Sequence, residues 1–205
     1  MTGGVDHWNA AYAKGDGGVS WFEERPELSL DWIARAGGAE QGVIDIGGGA
    51  SALSAALLRQ GLCDISVLDL SQAALDIAQT RLGDEASEVC WICADMTRWM
   101  PSRTYGVWHD RAVFHFMTTP EARAAYIAAM RAALPVGAAA VMATFADDGP
   151  EKCSGLPVQR YSPSQLAETL GAGFDLEQSA RQVHVTPAGR EQKFQISLLR
   201  RVEEV

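Results

Sequence analysis

Residues 43–51 read VIDIGGGAS, an apolar run carrying one acid and ending on three consecutive glycines. Glycine loses more conformational freedom on folding than any other residue, so three in a row imply that something needs bare backbone there. Gly47, Gly49 and Ala52 fit G-x-G-x-x-[G/A], with Gly48 between them, a spacing that lets a ligand lie against the chain where a strand turns into a helix. Three acids accompany it: Asp45 before the glycines, Asp69 twenty residues past Gly49, and Asp95 further on. If each closes a strand of one parallel sheet, the three ring one crevice, because ligands of open α/β sheets bind beyond the carboxyl ends of the strands. A dinucleotide would set its pyrophosphate on the helix N-terminus. A carboxylate at Asp45 opposes that anion and favours a cationic ligand end. S-adenosylmethionine, with a sulfonium, an ammonium and no phosphate, suits the acids better. Asp69, followed by Leu70 and Ser71, would accept from the ribose hydroxyls. Asp95 would reach the adenine amino group, and Met96 would pack on the ring. Each aspartate taken singly also suits a turn or a cap.

These positions need an alternating frame of strands and helices, and the sequence supplies one. Strands are expected at about 43–46, 65–70, 89–94, 106–110 and 138–145, separated by helical patterns. A helix from about Ala50 to Gln60 follows the glycines. Ser71 caps the next helix, which stops at Gly83. Thr119-Pro120 opens another, and Ser162 with Gln165 has capping-box spacing. Two last strands, about Phe174 to Val185 and Lys193 to Arg200, flank the turn-rich TPAGRE and predict an antiparallel hairpin. The expectation is a doubly wound, mostly parallel seven-stranded α/β sheet with helices on both faces. An aromatic-rich helical lead over residues 1–40 precedes a single domain over residues 41–205.

With the glycines, the acids and the strand count together, the chain resembles the class I S-adenosylmethionine-dependent methyltransferases over roughly residues 40–200. VIDIGGGAS resembles the family's first motif, VLDLS its acidic second-strand end, and CADM its adenine contact. The lead, HWNAAYAKGDGGVSWFEERPELSLDWI, is similar to that of small methyltransferases related to the elongation-factor lysine methyltransferases. Its marks are Trp8, Tyr12, Trp21 and Phe22, and the resemblance implies a lead folded over the cofactor, with Trp21 among the contacts. After the fourth strand that subgroup has an acid followed by Lys-Gly-Thr. Here Asp110 matches, Arg111 replaces the lysine, and Ala112-Val113 replace Gly-Thr. That departure speaks against carrying over lysine specificity.

Methyl transfer to a nucleophile asks a protein mainly for alignment and water exclusion, plus a base where the acceptor must lose a proton. Candidates follow the fourth strand: His109, Asp110, Arg111 and His115. Asp110 is the expected residue for orienting or deprotonating the acceptor, and His115 the expected base. Arg111 would hold an acidic group or pair with a carboxylate. The long stretch 145–162 would cover the acceptor, with Arg160 and Tyr161 as contacts and Cys153 as a lone thiol. Leu28 and Trp32, four apart, suggest a helix face against the sheet.

Composition narrows the partners. A net charge of −9 argues against nucleic acid or an anionic membrane, and no apolar stretch suits a bilayer span. The opening has no basic segment followed by an apolar run, so no signal peptide is expected and the cytosol is the default compartment. The CWIC cysteines, Cys90 and Cys93, are expected to be buried and apolar. In a strand the CWIC pair would face opposite sides, which does not suit a zinc site. The leading expectation is a methyltransferase acting on a small molecule. A protein-lysine methyltransferase, a dinucleotide-dependent oxidoreductase and a non-catalytic cofactor-binding module are the alternatives.

Overall fold

The structure is a computed structural model that describes residues 4–12, 25–186, 189 and 191–204. Strands β1 (Val43–Ile46), β2 (Ile65–Asp69), β4 (Val107–Arg111) and β5 (Ala139–Phe145) are buried along almost their whole length. Unbroken burial is what strands covered on both faces require. With β3 (Val89–Cys93), β6 (Phe174–Val185) and β7 (Glu191–Arg201) they form one sheet in the order β3-β2-β1-β4-β5-β7-β6. The first five strands run parallel, and β7 is antiparallel to both of its neighbours, so it forms the expected terminal hairpin with β6.

Helices α2 (Glu27–Ala36), α3 (Leu53–Arg59) and α4 (Gln72–Leu82) cover one face, packing Trp32, Ile33, Leu53, Leu57 and Leu75 onto Val43, Val67, Val107 and Val141. Helices α5 (Pro120–Ala133) and α6 (Pro163–Leu170) cover the other, packing Tyr126, Met130 and Leu166 onto Ile44, Trp108 and Met142. The helix starts are capped as the sequence implied. Ser71 Oγ accepts from the Ala74 N–H at 3.2 Å, Thr119 Oγ1 from Ala122 at 3.2 Å, and Ser162 and Gln165 bond reciprocally. α3 begins three residues later than expected, because 50–52 continue the glycine turn and Ser51 Oγ accepts from the Leu53 N–H at 3.1 Å.

A short helix α1 (Val5–Tyr12) lies over α4, where the Ser71 hydroxyl donates to Asn9 Oδ1 at 2.7 Å. Trp8 sits edge-on to Phe116 with centroids 5.2 Å apart. The cysteine expectation is corrected: Cys90 and Cys93 are exposed, as is Cys63, and Cys153 is half-buried. β3 is the outermost strand, so nothing pairs beyond it, and of its residues Val89 alone is buried. The stretch 145–162 folds back through a two-residue ladder, Lys152–Cys153 against Leu156–Pro157. Among the described residues, no helix is long and apolar enough to cross a membrane.

Candidate active site

The glycine turn is fixed from several directions. The Gly47 N–H donates to the Leu68 carbonyl at 2.7 Å, and the Arg81 guanidinium donates to the Ala50 carbonyl at 2.8 Å. Gly47 and Gly49 take φ of 66° and 31°, in the left-handed region where side chains are strained. A Cβ would also collide with a neighbour at all three glycines. It would meet Val113 at Gly47, the Asp45 carboxylate and Val67 at Gly48, and the Asp69 carboxylate, 2.6 Å away, at Gly49. The triple glycine thus makes room for two acids as well as for a ligand.

A cavity opens beside this turn, lined mostly by apolar side chains with a few polar groups, as small-molecule sites are. At one end are Gly47, Asp69, Leu70, Met96 and Phe116, with Trp8 and Tyr12 of α1 above. At the other end are Ser29 and Trp32 of α2, His109 and Arg111 of β4, Cys153 of the loop, and Gln182, His184 and Phe194 of the hairpin. Asp69 Oδ1 accepts from the Ser71 N–H at 2.8 Å. Burial pushes its carboxyl up to about 6, with the nearby Asp45 charge adding and the Ser71 N–H opposing.

Of the residues expected from sequence, Gly47, Asp69, Leu70, Met96 and Arg111 therefore meet at the cavity. Gly48 and Gly49 shape the turn behind its wall. Ser71 is spent on capping α4 and holding Asn9. Asp95 lies between the lining residues Ala94 and Met96, and its Oδ1 accepts from the N–H and hydroxyl of Thr97 at 2.9 and 2.7 Å. Trp21 and Phe22 lie outside the described residues.

Three expectations are corrected. Asp110 does not face the cavity: neighbours on a strand point to opposite faces, so His109 and Arg111 turn toward α2 while Asp110 turns toward α5. There its carboxylate accepts from the N–H groups of Val113 and Phe114 at 2.8 and 3.0 Å and from the Tyr126 hydroxyl, and it has no exposure. Burial raises its carboxyl to about 6 against those bonds. His115 is also sealed in the core, packed on Phe116 and Phe145, and burial lowers its imidazole to about 3, so it is neutral and out of reach. Asp45 does not line the cavity as a counter-ion. It is the registered neighbour of His109, and its Oδ1 lies 2.7 Å from His109 Nδ1.

In the 145–162 loop, Arg160 donates to the Gly149 carbonyl at 3.0 Å, and Tyr161 is buried beside Phe114. Cys153 and Ser154 reach the cavity instead. Burial pushes the Cys153 thiol up to about 11, so it is protonated and weakly nucleophilic at neutral pH. Sequence reasoning missed Ser29 and the hairpin wall, because long-range packing brings them to the site. His109 was named without being preferred, though strand alternation separates it from Asp110.

Residues 43–137 match the family model described as a methyltransferase domain, and no curated protein matches the chain. Solved structures share the fold. A SAM-dependent methyltransferase from Anabaena variabilis is 13% identical over 96% of this chain and 94% of its own, with a TM-score of 0.75. A structure described by the conversion of a disulfide bond into a thioacetal group during echinomycin biosynthesis is 19% identical over 97% and 93%, with a TM-score of 0.71. The Burkholderia thailandensis 1,6-didemethyltoxoflavin-N1-methyltransferase, with its namesake compound and S-adenosylhomocysteine bound, is 21% identical over 87% and 78%, with a TM-score of 0.67.

The sheet is thus that of the class I methyltransferases. Residues 43–137 match a methyltransferase domain, and the whole sheet has the fold seen in S-adenosylmethionine-dependent methyltransferases. The residues present fit that cofactor: a turn with no room for side chains stands beside a buried carboxylate and an apolar shelf at Leu70 and Met96. None of the relatives named here is an elongation-factor lysine methyltransferase, so the likeness of the lead remains an expectation.

Proposed function

We propose that the protein methylates a small, uncharged or weakly acidic organic molecule seated between α2, the end of β4 and the β6–β7 hairpin. The observation that carries this reading is the cavity itself, whose two ends differ in chemistry. Its one lining carboxylate among the described residues is Asp69, at the glycine end. The acceptor end presents Trp32, Val141, Phe194 and Ile196 with His109, Arg111, Ser29 and two glutamines. A lysine ammonium entering there would be desolvated among apolar side chains and beside the Arg111 guanidinium, which is costly. A flat apolar ring with one or two polar substituents would be covered well.

S-adenosylmethionine, when bound, supplies an activated methyl group. The chain's own part is placement. Asp69 would accept from the ribose hydroxyls, Gly47 would let the aminoacyl end approach the backbone, and Leu70 and Met96 would pack the adenine. The oxygen of Asp95 left over from the Thr97 turn would take the adenine amino group. Arg111 would steer an acceptor carrying partial negative charge. In a cell extract fractionated by size and supplied with methyl-labelled cofactor, the label should enter the low-mass fraction. Label confined to protein would contradict the proposal.

A further inference from the structure

On the α2-covered face of the sheet, three polar side chains form a hydrogen-bonded chain that the cofactor seat does not use. Asp45 Oδ1 lies 2.7 Å from His109 Nδ1, and His109 Nε2 lies 3.0 Å from the Ser29 hydroxyl. Relative exposures are 3% for Asp45, 4% for His109 and 5% for Ser29. His109 and Ser29 nevertheless line the acceptor end of the cavity, and Asp45 stands behind them. A buried carboxylate on one imidazole nitrogen fixes the tautomer that carries its hydrogen there. Nδ1–H then donates to Asp45, Nε2 accepts from the Ser29 O–H, and the remaining lone pair of Ser29 is offered toward the cavity.

We propose that Ser29 and His109 are the proton-accepting end of the acceptor site, that Asp45 positions them, and that the acceptor is therefore a weakly acidic O–H, N–H or S–H compound. This rests on the methyl-transfer reading above. In the step, the acceptor's X–H bond breaks as its X–CH3 bond forms, and the electron pair of the broken S–CH3 bond stays on sulfur. The acceptor's proton passes to Ser29 Oγ while the hydroxyl proton of Ser29 passes to His109 Nε2. The positive charge lost at the sulfonium reappears on the imidazolium, beside the Asp45 carboxylate, and leaves as a proton to water after product release. Other ionisable groups face the same space: Asp69 at the far end, Arg111 on β4, Cys153 on the loop, Tyr12 on α1 and His184 on β6. β1 brings Asp45 against His109, and β5 brings the apolar Val141.

Two measurements test this. The first needs no acceptor: ¹⁵N chemical shifts of the histidines in the free protein, with His109 assigned by His109→Gln. The expected neutral form carries its hydrogen on Nδ1 and has a proton-accepting Nε2. An Nε2–H tautomer would overturn the proposal. The second uses a panel of substituted phenols and thiophenols graded in acidity as acceptors, at saturating cofactor. His109→Gln should cut transfer about 10²-fold or more for the least acidic members and hardly at all for those already ionised. Ser29→Ala should follow the same trend more weakly. A uniform loss across the panel, or none, would sink the idea, as would covalent labelling of Ser29 by a fluorophosphonate, which would make it a nucleophile. If no panel member is methylated, the tautomer decides. Failure of wild-type protein to bind S-adenosylhomocysteine would instead overturn the methyl-transfer reading.

Discussion

Two buried carboxyls carry opposite duties within one motif system. Asp69 faces the cavity and is pushed up to about 6 by burial, from an ordinary 3.8. A carboxyl raised on folding contributes stability that is present at low pH and is lost as pH rises through its folded value. The stability of Asp69→Asn relative to wild type should therefore rise between about pH 4 and pH 7, as thermal melts would show. Ligand hydroxyls that donate to Asp69 favour its ionised form. Affinity for S-adenosylhomocysteine should then fall below about pH 6, by up to about tenfold per pH unit, and lose that dependence in Asp69→Asn. Asp110 instead ties the turn after β4 to α5. Asp110→Ala would strand three buried donors and cost about 2–4 kcal/mol by denaturant titration, and rescue of cofactor binding at low temperature would separate that role from chemistry. Ala112 sits in this turn at φ 70°, where the elongation-factor-related subgroup has glycine. Ala112→Gly should be neutral or stabilising by up to about 1 kcal/mol.

At the level of elements, the β1–α3 turn and the terminal hairpin separate the two halves of the site. Gly48→Ala drives a Cβ into Asp45 and Val67, whereas a Cβ at Gly61 meets nothing within 4 Å. S-adenosylhomocysteine affinity should drop at least about tenfold in Gly48→Ala, while Gly61→Ala costs only backbone strain of about 1 kcal/mol and binds normally. Phe194 packs on Phe145 at 4.8 Å and lines the acceptor end. Phe194→Ala should alter acceptor KM with cofactor affinity intact. The elements were legible because each carried a local signal: β1 in four apolar or acidic residues, α4 in its Ser71 cap, α6 in its capping box. The site was legible only where chemistry and chain neighbourhood coincide, as at Gly47, Asp69 and Met96. Ser29 lies 80 residues from His109, and nothing local links them. Asp110 looked functional for its residue type, though two-residue periodicity already sets it on the face opposite His109 and Arg111.

Across the whole molecule, the layered sheet puts the cofactor end over β1 and β2 and the acceptor end over β4, β5 and the hairpin, with α1 and α2 closing one side. The most direct measurement is calorimetric titration of the protein with S-adenosylhomocysteine and with NAD, repeated on Asp69→Ala. The account predicts micromolar binding of S-adenosylhomocysteine, at least about tenfold weaker in the variant, and none of NAD. Binding of NAD, or equal affinity in wild type and variant, would contradict it.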